Sequence, residues 1–183
     1  RSQVDMVFRE NAGGMGAASQ VADKLRPLLE IADGFFAQED FAASVHIYRS
    51  VLEGVLSHLP EVRDEEGFLL MLLEQCLERS VASLQVASLV HETRHTLRSL
   101  LAALAMTPGP ARSKASSLMI HATSPKDQEE LALHVRQTLR TSGQEDTWLL
   151  LELESARIPV EEFMERCRAL GRQDALVARL LEL

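Results

Sequence analysis

The chain has 183 residues, of which 46% are hydrophobic, 25% charged and only 4% aromatic, and its formal net charge is -8 at pH 7. Leu and Ala dominate the hydrophobic residues, a composition that favours helices over sheets. The negative charge opposes binding to the phosphates of nucleic acid or to an anionic lipid surface. We therefore expect neither nucleic acid nor a membrane among the partners.

The sequence also carries signals about location. No apolar run approaches the roughly 20 residues that cross a bilayer, and no charged-then-apolar leader opens the chain. Cys76 and Cys167 each lie among apolar residues, and no short Cys spacing could chelate a metal, which predicts buried, reduced thiols. We expect a cytoplasmic protein without a cofactor. Because the chain begins with Arg1 and stops inside an apolar stripe, we also expect it to be a piece of a longer protein.

The first elements in chain order are a loop and two helices. Residues 1–18 contain a glycine cluster and lack periodicity, so they are predicted to be a flexible lead-in. One helix follows, in which Pro27 predicts either a late start or a kink. A second helix is marked by apolar residues three and four apart: Phe41, Val45, Tyr48, Leu52, Val55 and Leu59.

The connection between these two helices is short. Only residues 37–40 separate them, and so short a link makes them antiparallel neighbours. Asp40 is a suitable N-cap for the second helix, and Pro60 is expected to end it. The chain thus opens with an antiparallel helix pair.

A third helix, predicted from about Asp64 to Ala87, is apolar on two faces and is expected at the centre of the structure. One more stripe reaches Met106 and completes an N-terminal helical subdomain over residues 19–106. Residues 107–126, with Pro108-Gly109-Pro110, are predicted to be an irregular linker.

Residues 127–183 are predicted to form C-terminal helical pairs that pack on the first part. Their helices lie around residues 131–139 and 148–156, after Pro159, and over residues 176–183. Glu161 and Glu162 are favourably placed at the positive end of the third of these helices. The complete prediction is an all-α protein of about 7–8 helices in antiparallel pairs, arranged as an α-solenoid or as a helical bundle.

One passage resembles a known family. Residues 31–52, IADGFFAQEDFAASVHIYRSVL, resemble a tetratricopeptide repeat, with small, aromatic and Asp-aromatic positions at Ala32, Phe35, Asp40-Phe41 and Tyr48. Glu39 stands where this family usually has glycine, and Pro60 comes about four residues late. The resemblance covers one repeat, about a fifth of the chain, and implies a stack of helix pairs that binds another protein.

A second and weaker resemblance concerns the acidic run at residues 64–68 and the closing helices. Both are similar to the helical region that follows the zinc module in bacterial SWIM zinc-finger proteins. The cysteine-rich module itself is not in this sequence. This resemblance implies that the chain belongs to a larger bacterial-type protein.

The string His91-Glu92-Thr93-Arg94-His95 satisfies H-E-x-x-H, in which two histidines on one helix face hold zinc and the glutamate activates a water molecule. Thr93 and Arg94 depart from the apolar and uncharged residues usual there, and no third histidine follows in the pattern. A zinc-dependent hydrolase using His91, His95 and Glu92 is therefore the alternative hypothesis. The first expectation is that the chain is not an enzyme and binds no metal.

We expect a protein–protein interaction or scaffold module whose partner is a protein or peptide. The candidate contact residues are Phe35, Phe36, Phe41 and Tyr48, together with two residues of the basic concentration formed by Arg94, Arg98, Arg112 and Lys114, namely Arg94 and Arg98. A third hypothesis is a helical oligomerisation domain, a homodimer whose chains pair through the apolar residues 148–153.

Overall fold

A computed structural model describes residues 2–11, 16–86, 89–141 and 147–172. The fold is all-α, and no strand occurs in these ranges. The helices are α1 (Ser2–Asn11), α2 (Ala17–Ala37), α3 (Phe41–His58), α4 (Phe68–Leu84), α5 (His91–Met106), α6 (Arg112–His121), α7 (Pro125–Thr141), α8 (Trp148–Glu154) and α9 (Val160–Ala169). None of them is both long enough and apolar enough to cross a membrane. The stripe predicted over residues 176–183 lies outside the described residues.

The helices are stacked in chain order. The helices that pack most closely are one or two places apart along the chain, as α2 is with α3 and α4, and α5 with α6 and α7. One apolar core runs through this stack, and its buried members come from α1 through α8. A serial arrangement of this kind buries each helix against its neighbours in sequence, as helical repeats do.

The antiparallel pair α2–α3 follows its predicted boundaries closely. The Asp40 carboxylate accepts a hydrogen bond of 3.1 Å from the backbone N–H of Ala43, which confirms it as the N-cap of α3. After α3, a short 3-10 turn contains Pro60. The expectation of a late start for α2 was wrong, because α2 begins at Ala17 and continues through Pro27. Pro27 is exposed, so water can solvate the backbone carbonyl that loses its helical partner.

The prediction of a flexible lead-in over residues 1–18 was wrong for α1. Val4 and Phe8 are each 1% exposed and belong to the main core. Phe8 also stacks on the His58 ring with 4.7 Å between the ring centroids. Val7 packs against the same core, so Val4, Val7 and Phe8 form one short apolar helix face. This face lies next to a glycine cluster, which is typical of a loop. Residues 12–15 lie outside the described residues.

A histidine also holds α1 in place. The imidazole nitrogens of His58 lie 3.1 Å from carboxylate oxygens of Glu61 and Asp5, and these contacts raise the pKa of His58 above its ordinary value. A raised pKa means that protonation favours the folded state. The stabilisation is full below the ordinary histidine pKa and is lost as the pH rises through the raised one.

The irregular linker predicted over residues 107–126 was also wrong. Residues 112–121 form α6, whose buried residues Ala115 and Met119 lie in the same core as residues of the preceding and following helices. Serine-rich sequence has low helix propensity, and the preceding Pro108-Gly109-Pro110 is typical of a loop. Burial of one face of α6 overrides both signals.

Gly54 allows α1 to approach α3. A Cβ atom at this position would lie 2.4 Å from Cγ1 of Val4. The branched Val4 side chain has few rotamers in a helix and is buried, so α1 itself would have to move. We predict that Gly54→Ala costs about 1–3 kcal/mol of overpacking, partly offset by alanine's higher helix propensity. Hydrogen exchange should show faster exchange of the α1 amides, with α4 unchanged.

The matched control is Gly34→Ala in α2, where an added Cβ meets no atom within 4 Å. This substitution should stabilise the protein by roughly 0.5–1 kcal/mol, because alanine loses less backbone entropy on folding. The double variant Val4→Ala/Gly54→Ala should restore protection of α1. Unchanged exchange of α1 in Gly54→Ala would contradict the close approach of the two helices.

Glu39 has a left-handed backbone, with φ 63°. Such a conformation costs a residue with a Cβ roughly 1–2 kcal/mol, whereas glycine adopts it freely at an entropic cost of about 0.5–1 kcal/mol. We predict that Glu39→Gly raises the free energy of unfolding by roughly 0.5–1 kcal/mol, measured by urea denaturation. The control is Gln38→Gly, where φ is -89° and glycine should destabilise instead. A loss of stability in Glu39→Gly would contradict the backbone assignment.

Candidate functional site

The H-E-x-x-H string forms the start of α5. His91, Glu92 and His95 are exposed, whereas Arg94 turns inward. Nη2 of Arg94 donates a 2.6 Å hydrogen bond to the Val86 carbonyl oxygen, and its Nη1 donates to the carbonyl oxygen of Leu84. Leu84 is the last residue of α4. Arg94 therefore supplies hydrogen-bond donors to the backbone carbonyl groups at and just after the end of α4.

The histidine closest to this string is already engaged. The ring of His95 lies 5.0 Å from the ring of His134 in α7. Nδ1 of His134 lies 2.9 Å from the Glu130 carbonyl oxygen, and its Nε2 lies 3.1 Å from the Ser99 hydroxyl. Burial and the charge of Arg98 lower the pKa of His134, so its neutral form is favoured.

A zinc site needs at least three converging ligands in a protein of this kind. Within the described ranges, no group of three His, Cys, Asp or Glu side chains is arranged to hold a metal ion. His91, Glu92 and His95 thus have no third ligand from this part of the chain. The zinc hydrolase hypothesis gains no support from the geometry.

Arg98, predicted as a contact for a partner, lies in the protein interior with 2% of its surface exposed. Its Nε donates a 2.9 Å hydrogen bond to Oδ1 of Asp127, its Nη2 contacts the same oxygen, and its Nη1 pairs with Glu130. The prediction that Arg98 contacts a partner was therefore wrong. Its charge has to be paired because an isolated charge is costly to bury.

Asp127 joins this ion pair to the start of α7. The Ser124 hydroxyl donates a 2.6 Å hydrogen bond to Oδ2 of Asp127, and the Asp127 N–H donates to the Ser124 hydroxyl at 3.2 Å. Burial raises the pKa of Asp127, but the hydrogen bonds from Ser124 and Arg98 and the charges of Arg98 and Arg94 outweigh it and leave the pKa below its ordinary value. Asp127 is therefore a carboxylate at neutral pH.

The aromatic candidates divide into one buried residue and three half-buried ones. Tyr48 is 0% exposed and donates a hydrogen bond to Asp33; burial and this acceptor raise the pKa of Tyr48 to about 12. Tyr48 is thus a core residue, and the prediction that it contacts a partner was wrong. Phe35, Phe36 and Phe41 are half-buried, with Phe36 and Phe41 edge-to-face at 5.3 Å.

The apolar segment over residues 148–153, predicted to pair between chains, packs in the interior of its own chain. Leu149, Leu150, Leu151 and Leu153 are all buried. Their faces pack against α6, α7 and α9. These leucines are therefore not available for a homodimer in this fold.

The structure forms a groove that the sequence did not indicate. The Trp148 groove, as we call it, lies between the end of α5, the outer face of α6 and the start of α8, and has a volume of about 720 Å³. Its apolar walls include Met106, Ile120 and Trp148, all half-buried. A volume of this size is within the range of ligand-binding clefts.

Two arginines lie at or near this groove. Arg112 lines it and is exposed, and the guanidinium of Arg172 lies 4.0 Å from the centre of the Trp148 ring. None of the described residues that line the groove carries a carboxylate. Lys114, close by in α6, is compensated by Glu78 at 2.5 Å. Among the described residues that line the groove, Arg112 is therefore the charged one.

The sequence analysis did not single out Asp127, and it named Trp148 only as part of the segment over residues 148–153. Ser124-Pro125 followed by Asp127 has the form of a capping box with proline at the first helical position, so the start of α7 was legible in the sequence. No sequence signal links Trp148 to Arg112 or Met106, because only the packing of α8 beside α6 brings them together.

The Arg98–Asp127 pair predicts a pronounced mutational effect. Asp127→Asn leaves the Arg98 charge buried with Glu130 alone and should lower the free energy of unfolding by about 3–5 kcal/mol at pH 7. Because the folded pKa of Asp127 is lowered, its contribution is present above the ordinary aspartate pKa and is lost as the pH falls through the folded one. Urea denaturation between pH 2 and 7 should therefore show a shallower acid loss in the variant.

Two further variants test the ion pair. Glu129→Gln changes an exposed carboxylate on the same helix and should alter the free energy by less than about 0.5 kcal/mol. The double variant Arg98→Met/Asp127→Leu should recover most of the loss, because it removes both charges together. Equal effects of Asp127→Asn and Glu129→Gln would exclude a structural role for the pair.

Comparison of the chain with protein-family models, with curated proteins and with solved structures finds no match. The geometry of the chain's own residues is therefore the basis for a function.

Proposed function

We propose that this chain is a non-catalytic, cytoplasmic protein-interaction module of a larger protein, and that it binds a peptide segment of a partner. The observation that supports this most directly is the Trp148 groove, an open cleft with apolar walls on the side of a helix stack. Aromatic side chains contribute large contact areas at interfaces, and clefts between stacked helices accept extended peptides or helices.

The pattern of side-chain burial indicates which surface is suited to bind a partner. In the part of the chain that the structure describes, four of the five exposed large hydrophobic side chains lie on four different helices: Met6, Ile31, Met71 and Leu133. Single exposed residues of this kind are usual on any protein. The Trp148 groove differs because it brings several apolar side chains together around one concavity.

The charge of the chain supports a protein partner over nucleic acid. A net charge of -8 repels a phosphate backbone at long range. The cations predicted as a basic cluster also separate in the fold: Arg98 is buried, Arg94 binds the end of α4, and Lys114 pairs with Glu78. A continuous basic surface is therefore not formed by these residues.

Selection from a random peptide display library against the folded, immobilised chain tests this function. We expect the selected peptides to share a consensus and to bind saturably in solution. Trp148 is the only tryptophan of the chain, so its emission, excited at 295 nm, reports occupation of the groove directly.

The control variant is Met71→Glu, which removes the most exposed apolar side chain of α4. It should leave the affinity of the selected peptides unchanged, because they bind the Trp148 groove and not any exposed apolar residue. A selection without consensus, together with unchanged Trp148 emission at millimolar peptide, would end the proposal.

A further inference from the structure

The His58 ring lies between two carboxylates, one on α1 and one just after α3. Its Nε2 is 3.1 Å from Oδ1 of Asp5, and its Nδ1 is 3.1 Å from Oε2 of Glu61. A neutral imidazole has one N–H and one lone pair, whereas the imidazolium has two N–H groups. The imidazolium can therefore donate to both carboxylates, but the neutral ring would direct its lone pair at one of them.

We propose that His58 is a proton-operated latch for α1. With the proton bound, the ring joins α1 to the end of α3 and holds α1 on the helix stack. When the proton leaves, α1 opens more often, while the helices from α2 onward stay packed. The latch is independent of the Trp148 groove and of the function proposed for it.

The other contacts of α1 are few enough for one latch to matter. Val4 lies against Gly54 of α3, and Phe8 stacks on the His58 ring itself, with 4.7 Å between the centroids. An isolated helix of ten residues is marginal in water, so α1 keeps its conformation while it is docked. Opening would uncover Val4 and Phe8, each of which is 1% exposed in the docked state.

The charged groups around the ring favour its protonated form. Among the described residues, Asp5 of α1 and Glu61 of the 3-10 turn contact the imidazole. Lys24 of α2 instead donates a 2.8 Å hydrogen bond to Asn11, at the opposite end of α1. The Asp64 carboxylate, which precedes α4, accepts a hydrogen bond from the backbone of that helix. The ring also stands at the end of α3, where the helix dipole is negative.

The direction of the pH effect follows from these contacts. The hydrogen bonds to Glu61 and Asp5 raise the pKa of His58 above its ordinary value, although burial opposes them. Opening of α1 removes Asp5 from the ring, so the docked state binds the proton more tightly than the open state. Docking is therefore strongest below the ordinary histidine pKa of about 6.5 and weakens as the pH rises through the raised one.

NMR titration of the His58 ring protons in the full chain tests the link between the ring and α1. We expect a pKa above the ordinary histidine value. Asp5→Asn should move this pKa back toward the ordinary value, because a neutral amide does not attract the imidazolium. A His58 pKa that is the same in Asp5→Asn and in the original chain would refute the link.

Hydrogen exchange at pH 5.5 and pH 8.0 tests the opening, with each amide rate divided by the intrinsic rate at the same pH. The protection of the α1 amides should fall roughly threefold to tenfold at pH 8.0, as expected for two partly exposed ion pairs. At both pH values α1 should be less protected than α4, because α1 opens without the rest of the stack. Equal protection of the two helices would contradict a local latch.

Two variants separate the charge of the latch from its packing. His58→Gln keeps a hydrogen-bond donor, and His58→Phe keeps an aromatic ring beside Phe8. In both, the protection of α1 should no longer differ between pH 5.5 and pH 8.0. The matched control is His46→Gln, which changes an exposed histidine on the same helix and should retain the full difference.

Two results with these variants would overturn the inference. One is a pH-dependent loss of α1 protection that persists in both His58 variants, since another group would then be responsible. The other is disappearance of this loss in His46→Gln. Circular dichroism of each variant confirms that it folds.

Discussion

Arg98 extends from α5 into the protein interior and meets Asp127 at the start of α7, and the assembly of the second half of the chain depends on this pair. Removing a guanidinium and a carboxylate from water is costly, so the pair is tolerated only where both partners are fully satisfied. The Ser124 hydroxyl and Glu130 supply the remaining contacts. The geometry of the pair therefore determines how α7 lies against α5. Packing of leucines alone would fix this arrangement less specifically.

The same network reaches the neighbouring helices. Arg94, one turn before Arg98, binds carbonyl oxygens at the end of α4 and lies 3.6 Å from Asp127. On the other side, α7 supports α8, where the buried Glu154 pairs with Arg136 of α7 and Arg166 of α9. Two buried carboxylates thus connect four helices in series. The position of α8, and with it Trp148, follows from these contacts.

The Trp148 groove is a consequence of this packing. The leucines of α8 face inward, which leaves Trp148 at the start of the helix only half-buried. Ser113 and Ser116 of α6 are too small to fill the space opposite. A cleft remains, and Arg112 is the charged side chain among the described residues that line it.

The sequence by itself determined the helical class and the elements whose signal is local. The α2–α3 pair, the Asp40 cap, the turn at Pro60 and the acidic start of α9 could all be predicted, because periodicity, capping and proline act within a few residues. Glu161 and Glu162 indeed lie in the first turn of α9. A capping box also marked α7, although it was read as the end of a linker.

Only the tertiary structure decided the rest. α1 depends on a close approach to Gly54, and α6 on burial of Ala115 and Met119 against its neighbouring helices. Tyr48 and Arg98 had the appearance of contact residues, since a sequence does not show whether a polar side chain finds a buried partner. The groove joins residues of α5, α6 and α8. Such features arise from contacts between different segments of the chain, and local sequence patterns do not indicate them.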